Sequence, residues 1–323
     1  MLGAIFAVLS ALSFAINNAA ARRGVITGTP TQGMAITVPM GVVLFLLAAT
    51  ITGEILRWTQ FSPRAAAWMA GVGLVHFIFG RYSNYRANQV AGVNLTAPVV
   101  QLQVIVTLVL AVAILKEPCS VLQMIGGVLI LAGSFLTQRQ PQTRRDTSKP
   151  PVFVPRYLLG YLFASLAALG YGTSPIMARF ALADSGPASG ILGGLIAYAA
   201  ATAFVAVALL WPPVRRDVIA LKRENLPWFA YSGFFVAMAQ GFFYAAVAIA
   251  PIMLVMPILQ MSLVFRLIIS TWLNPDHEVF GPIIVIGAAI SVVGSLTVAI
   301  DTEFILRVLS VPEALGQVLR WRV

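Results

Sequence analysis

The sequence predicts an all-α polytopic membrane protein, with ten transmembrane helices arranged as two inverted five-helix repeats. Three observations carry that reading. The 323 residues are 59% hydrophobic and only 10% charged, against about 25% charged in a soluble domain. So few charges cannot cover a water-facing surface. The apolar residues fall into runs of about 20, the length that crosses a hydrocarbon core of roughly 30 Å as helix. The two halves of the chain also repeat one another.

The runs separate at Gly, Pro and charge clusters. They lie near 2–20, 33–53, 65–88, 95–115, 120–137, 157–178, 188–211, 228–249, 252–273 and 280–300. Helix is the expected form, because its backbone polar groups are satisfied within the segment. A β-barrel would need short alternating segments, and these runs are continuous. The first run resembles the apolar part of a secretory signal, but no basic residue precedes it. The longest polar stretch, 138–156, carries Arg139, Arg144, Arg145, Lys149 and Arg156. It reads as a basic linker between a first repeat, 1–137, and a second, 157–300. The tail, 301–323, mixes Phe304, Ile305, Leu309 and Leu319 with Arg307, Arg320 and Arg322. That mixture suits an amphipathic helix in the membrane interface.

The repeat is collinear. Leu2 to Ala7 match Leu159 to Ala164 at an offset of 157, which also pairs Ala21-Arg22 with Ala178-Arg179, Pro30 with Pro187 and Gly33 with Gly190. An offset of 159 pairs Tyr85 with Tyr244, Pro98 with Pro257 and Gln101 with Gln260. After a further slip of two residues, Glu117, Gly126 and Gly133 pair with Glu278, Gly287 and Gly294. Residues 2–20 therefore correspond to an internal helix, which argues against a cleaved signal. Five spans per half force the second half to enter the membrane in the opposite sense. Inverted repeats of this kind mark secondary transporters, whose substrate site lies near the midplane between the halves.

Each half closes on a Pro-containing fourth helix, a Glu-bearing turn and a Gly-x6-Gly fifth helix. In the first half these are Ala97-Pro98, Leu115-Lys116-Glu117, then Gly126 to Gly133; in the second, Met256-Pro257, Glu278, then Gly287 to Gly294. Over roughly 2–300 the chain resembles the EamA-type transporters of the drug/metabolite transporter superfamily. The second turn departs from the first: Asn274-Pro275-Asp276-His277 precedes Glu278 and makes it longer and more polar. The resemblance implies a ten-helix carrier of small metabolites but names no substrate, since that superfamily serves amino acids, nucleotide sugars, purines and drugs. A multi-pass protein of a cell membrane, the bacterial inner membrane, is the expected setting.

Charge adds a topology question. The net charge is +10, from 21 Lys and Arg against 11 Asp and Glu. Nucleic acid is not the expected partner, because no basic run alternates with aromatics. Assigned to alternate loops, 13 basic residues fall on one side and 7 on the other, with Arg266 inside a helix. The positive-inside rule then puts both termini outside the cytoplasm, whereas the resemblance implies both inside. Cys119 is the single cysteine, so neither an intramolecular disulfide nor a cysteine metal cluster is available. No cofactor or metal is expected; a small-molecule substrate and the bilayer are the expected partners, with a homodimer possible.

Polar residues inside the spans supply the candidate site. Every acidic residue falls at a span end or in a loop, so the buried carboxylate of many proton relays is missing. Arg266 lies well inside 252–273, where a central arginine costs about 2.5–3.5 kcal/mol. It either binds an anionic substrate group, as a guanidinium does in bidentate fashion, or pairs internally. His76 in the third span either carries a proton near neutral pH or is a hydrogen-bonded member of a polar interior. Arg81, Asn84, Tyr85 and Asn88 recur at helical spacing. By hydropathy they lie in a loop, but the pairing of Tyr85 with Tyr244 draws them into the end of span three. Tyr85 and Asn84 are expected at the cavity and Arg86 at the interface. Gln101 and Gln260 each follow a proline by three residues, and either satisfy the carbonyl that proline frees or bind substrate. Asn17, Asn18 and Ser174 are weaker candidates, and the spaced glycines are read as packing.

The expected function is carriage of a small polar or anionic metabolite, such as an amino acid or related compound, by alternating access. The alternatives are a non-transporting receptor or scaffold and, less favoured, an intramembrane enzyme. An enzyme would need an acid pair, nucleophile or metal cluster that the spans do not offer.

Overall fold

The computed structural model describes residues 1–25, 28–91, 99–100, 102–137, 156–183, 186, 188–262, 265, 269, 282–300 and 302–322. Among these no strand occurs; one isolated bridge joins Ser120 to Arg322. The principal helices are α1 (Leu2–Val25), α2 (Pro30–Ile51), α3 (63–91), α4 (Gln103–Leu115), α5 (Val121–Thr137), α6 (Tyr157–Leu182), α7 (Ser189–Ala208), α8 (Leu226–Ile249), α9 (Ile252–Leu259) and α10 (Pro282–Ala299). Four helical stretches are long and apolar enough to cross a membrane, Leu2–Ala21, Pro30–Ile51, Ser189–Ala208 and Arg223–Ile249, and Gln103–Leu115 and Val121–Gly133 are shorter and apolar. The linker and most of the expected span 252–273 beyond Ser262 lie outside the described residues.

Local chemistry sets the helix starts. At α2, Thr29 Oγ1 accepts from the Gln32 N–H at 3.2 Å, while Gln32 Oε1 accepts from the Thr29 N–H at 3.0 Å. This reciprocal capping box, with Pro30 at the first helical position, satisfies two donors that a helix end leaves open. Ser62 caps α3 by a single bond, its Oγ accepting from the Ala65 N–H at 3.1 Å, with Pro63 next. The α9 start has no capping side chain of its own. Glu117, from the turn after α4, reaches it instead: Oε1 accepts from the Ile252 N–H at 3.0 Å and Oε2 from the Met253 N–H at 2.9 Å. A carboxylate at a helix N-terminus also meets the positive end of the macrodipole.

α3 is not uniform. Pro63–Val72 and Arg81–Ala91 are α-helical, and Gly73–Gly80 between them is a π-helix, closed by the Arg81 N–H bonding the His76 carbonyl. The helix therefore runs on through the polar stretch that hydropathy alone makes a loop.

Small residues set the closest helix crossings. α2 meets α7 where the Tyr198 ring lies over Gly41 and the Phe45 ring over Gly194; the two rings are 5.4 Å apart. α5 meets α10 at Gly126 and Gly294, where a Cβ on Gly126 would stand 2.9 Å from the Gly294 carbonyl oxygen and one on Gly294 would stand 2.6 Å from the Gly126 oxygen. Elsewhere α1 lies along α8 and against α9, while α6 lies along α3 and against α4. The core threads through these crossings, with Tyr198, Tyr244, Phe77, Met69 and Leu182 among its fully buried side chains.

Contacts outside the helices gather at two ends. One end holds Gly3 against Ala250, Glu117 against the start of α9, and Arg179, whose Nε is 3.9 Å from Glu117 Oε1. The tail joins this end: the Val121 N–H bonds the Trp321 oxygen at 3.0 Å and Ser120 Oγ lies 2.9 Å from Thr302 Oγ1. The other end holds Thr29 Oγ1 donating to Asp217 Oδ2 at 2.7 Å, Arg23 over the Trp228 ring, and the Arg156 N–H on the Val90 oxygen at 2.8 Å.

Candidate functional site

A cavity of about 330 Å³ opens between the helices. Both halves of the chain line it. α1 gives Phe14, Asn17 and Asn18; α2 gives Thr37; α3 gives His76, Arg81 and Asn84. From the other half come Tyr171 of α6, Ser232, Gln240 and Phe243 of α8, and Met256 of α9, with Gln260 just beyond it. The surface is thus a set of amides and hydroxyls between aromatic faces, with a volume in the range of small-molecule sites.

The π turn brings His76 and Arg81 to this cavity together. On an α-helix, residues five apart diverge by about 140° at 100° per residue. A turn closed from one residue to the fifth before it places such residues nearly above one another. Arg81 Nη1 donates to Thr37 Oγ1 at 3.2 Å, and its guanidinium carbon lies 5.3 Å from the Phe77 ring centre. Among the described residues no carboxylate forms an ion pair with Arg81 and none lines the cavity.

Polar contacts tie α1 to α8 and α3 to α6 and α8 across the cavity. Ser232 Oγ of α8 donates to Asn17 Oδ1 of α1 at 2.7 Å. His76 Nδ1 of α3 lies 2.7 Å from Ser174 Oγ of α6, the residue that pairs with Asn17 in the repeat. His76 Nε2 lies 3.2 Å from Gln240 Nε2 of α8.

Of the residues expected from sequence, Asn17, His76, Asn84 and Gln260 line the cavity together. Tyr244 does not: it is 1% exposed, packed at 5.6 Å on Phe243 and 6.5 Å on Phe45. Tyr85 lies on α3, but its side chain is outside the described residues, as are Arg266 and Gln101. Arg86 is exposed. Sequence reading passed over Gln240, Ser232 and Thr37. For Gln240 a signal existed, since one amide in an otherwise apolar helix is costly unless it faces a polar interior. Arg81 shares its helical spacing with Asn84 and Asn88, and sequence alone does not separate it from them.

Apolar helices of spanning length around a polar cavity define the class: this is an integral membrane protein. Residues 1–139 match the model of the EamA-like transporter family, so the resemblance carried by the Pro, Glu and Gly motifs holds over the first half. No curated protein matches the chain. Among 19 matching solved chains, one crystal structure aligns with a TM-score of 0.70 at 16% identity, over 95% of this chain and 98% of that one. At that identity the likeness extends to the fold.

Proposed function

We propose that the protein is a secondary carrier of ten transmembrane helices, in which residues 1–137 and 157–300 form inverted five-helix repeats. It takes a small polar or anionic metabolite into the central cavity and passes it across by alternating access. The observation that carries this reading is the cavity itself: both halves line it, and among its described residues it holds Arg81, several amides and no carboxylate. The helix pairing supports the repeat. Exchanging the halves turns α1 on α8 and α9 into α6 on α3 and α4, and leaves α2 on α7 and α5 on α10 unchanged. In that scheme Arg81 anchors the substrate anion, Asn17, Asn84 and Gln260 bond its polar groups, and rocking of one half on the other alternates access. Arg266, Gln101 and Tyr85 stay candidates from sequence for the same task.

Uptake of labelled carboxylates, phosphates and neutral amino acids into proteoliposomes tests this. Arg81→Gln is expected to cut uptake of the anionic substrates at least tenfold at equal protein level, with neutral substrates less affected. The same measurement on Arg266→Gln separates the two arginines. Saturable binding with no flux would replace the carrier reading with that of a receptor.

A further inference from the structure

His76 has a wiring that Arg81 alone does not explain. Its ring lies 4.9 Å from the Tyr171 ring and 5.1 Å from the Phe77 ring, and its two nitrogens touch two different helices of the second half. Ser174 Oγ stands 3.3 Å from the Tyr171 carbonyl oxygen. With the hydroxyl hydrogen on that carbonyl, Ser174 accepts from the His76 Nδ1–H. Nε2 is then left with a lone pair, to which the Gln240 amide donates. A neutral imidazole with its proton on Nδ1 fits these contacts.

The Gln240 amide beside Nε2 carries an acceptor as well as a donor. Among the described residues the Gln240 carbonyl oxygen takes no hydrogen bond. A half-turn of that amide replaces its N–H by this oxygen, and a protonated Nε2–H then has an acceptor with no backbone movement. The groups around the ring are Arg81 on its own helix, Tyr171 and Ser174 on α6, Tyr198 of α7 behind Phe77, and Gln240 on α8. Of these only Arg81 is charged. A cation one π turn away opposes a second cation, and the opposition is strong where water is scarce.

We propose that His76 Nε2 is a proton-binding site coupled to an anion site at Arg81, so that the cavity takes up an organic anion together with one proton. The inference rests on the reading of the cavity as an anion site. An anion on Arg81 offsets the repulsion between that cation and an imidazolium. The proton comes from water onto the Nε2 lone pair, and the only bond given up is the hydrogen bond from the Gln240 amide. Anion and proton enter as a neutral pair, which lowers the cost of carrying charge through the bilayer centre. By linkage each ligand tightens the other by the same factor, with typical couplings of roughly 5- to 150-fold.

The chain has two histidines, so nitrogen-15 histidine labelling in lipid nanodiscs is readable, and the His76 signals are those that survive His277→Gln. Benzoate is the probe anion, because it stays ionised between pH 6 and about 8. The expected result is an Nδ1–H tautomer at neutral pH and an Nε2 that gains its proton at a pH higher by about one unit or more with benzoate present, the shift that a tenfold coupling produces. Calorimetry should show benzoate binding at least about fivefold tighter at pH 6 than at pH 8, with proton uptake visible across buffers of different ionisation enthalpy. His76→Gln should bind benzoate with no such pH dependence. Benzoate binding of equal strength at both pH values, with His76 shifts unmoved, overturns the coupling and leaves the anion site standing. Failure of the wild-type protein to bind benzoate at either pH overturns the anion site and the coupling with it.

Discussion

Glu117 shows what one residue does in this bundle. Its carboxylate holds two backbone N–H groups of α9 at 2.9–3.0 Å and stands 3.9 Å from the Arg179 guanidinium, with side chains only 11% and 17% exposed. Arg179 in turn donates to the Val247 oxygen at 2.6 Å, so one cluster joins the ends of α4, α6, α8 and α9. In sequence Glu117 was part of a motif in a turn, with no partner to be read, because Ile252 lies 135 residues away. Hydrogen bonds to a charged group are each worth about 1.5–3 kcal/mol. Glu117→Ala is therefore expected to lower stability by about 3–6 kcal/mol, read as a lower thermal midpoint in detergent. Glu117→Gln, which keeps an acceptor, should lose less. An unchanged midpoint for the alanine variant would mean that α9 starts without this cap.

Among elements, α3 divides what the sequence displayed from what it hid. Its extension through Arg81–Ala91 was legible only because Tyr85 pairs with Tyr244 across the repeat; local polarity pointed to a loop. The π turn before it was not legible. Gly73-Leu-Val-His-Phe-Ile-Phe-Gly80 is apolar on every side except for His76, so no periodicity distinguishes a wide turn from an α-helix. That turn decides whether Arg81 faces the cavity or the interface, which is why sequence placed Asn84 and His76 as candidates but left Arg81 among the face residues. The α5–α10 crossing was more transparent, since glycines seven apart on an apolar helix signal close approach. A methyl group on Gly294 would meet the Gly126 oxygen at 2.6 Å and the Ile130 nitrogen at 2.7 Å. Backbone atoms cannot swing aside, so Gly294→Ala should destabilise by about 1–3 kcal/mol through overpacking. Gly127, whose Cβ would stand no nearer than 3.5 Å to Leu108, supplies the control: Gly127→Ala should leave the thermal midpoint close to wild type.

For the whole molecule, the two ends of the bundle constrain how the chain threads the membrane. Gly3 and the tail residues Thr302 and Trp321 gather with Glu117 and Arg179, while Arg156, where the linker meets α6, sits with Val90 at the end that also holds Thr29 and Asp217. α1 thus leaves from one end and α6 from the other. Charge counting and family resemblance disagree over which end faces the cytoplasm, but both demand that linker and tail lie on opposite sides. The single cysteine, Cys119, is buried, and Cys119→Ala gives a clean background. In it, Ser148→Cys in the linker and Ser310→Cys in the tail should react with an impermeant maleimide from opposite sides of a sealed vesicle. Labelling of both from one side would break the inverted arrangement. Labelling from opposite sides fixes, through the side on which Ser148→Cys reacts, whether the 13 basic residues of the linker-side loops obey the positive-inside rule.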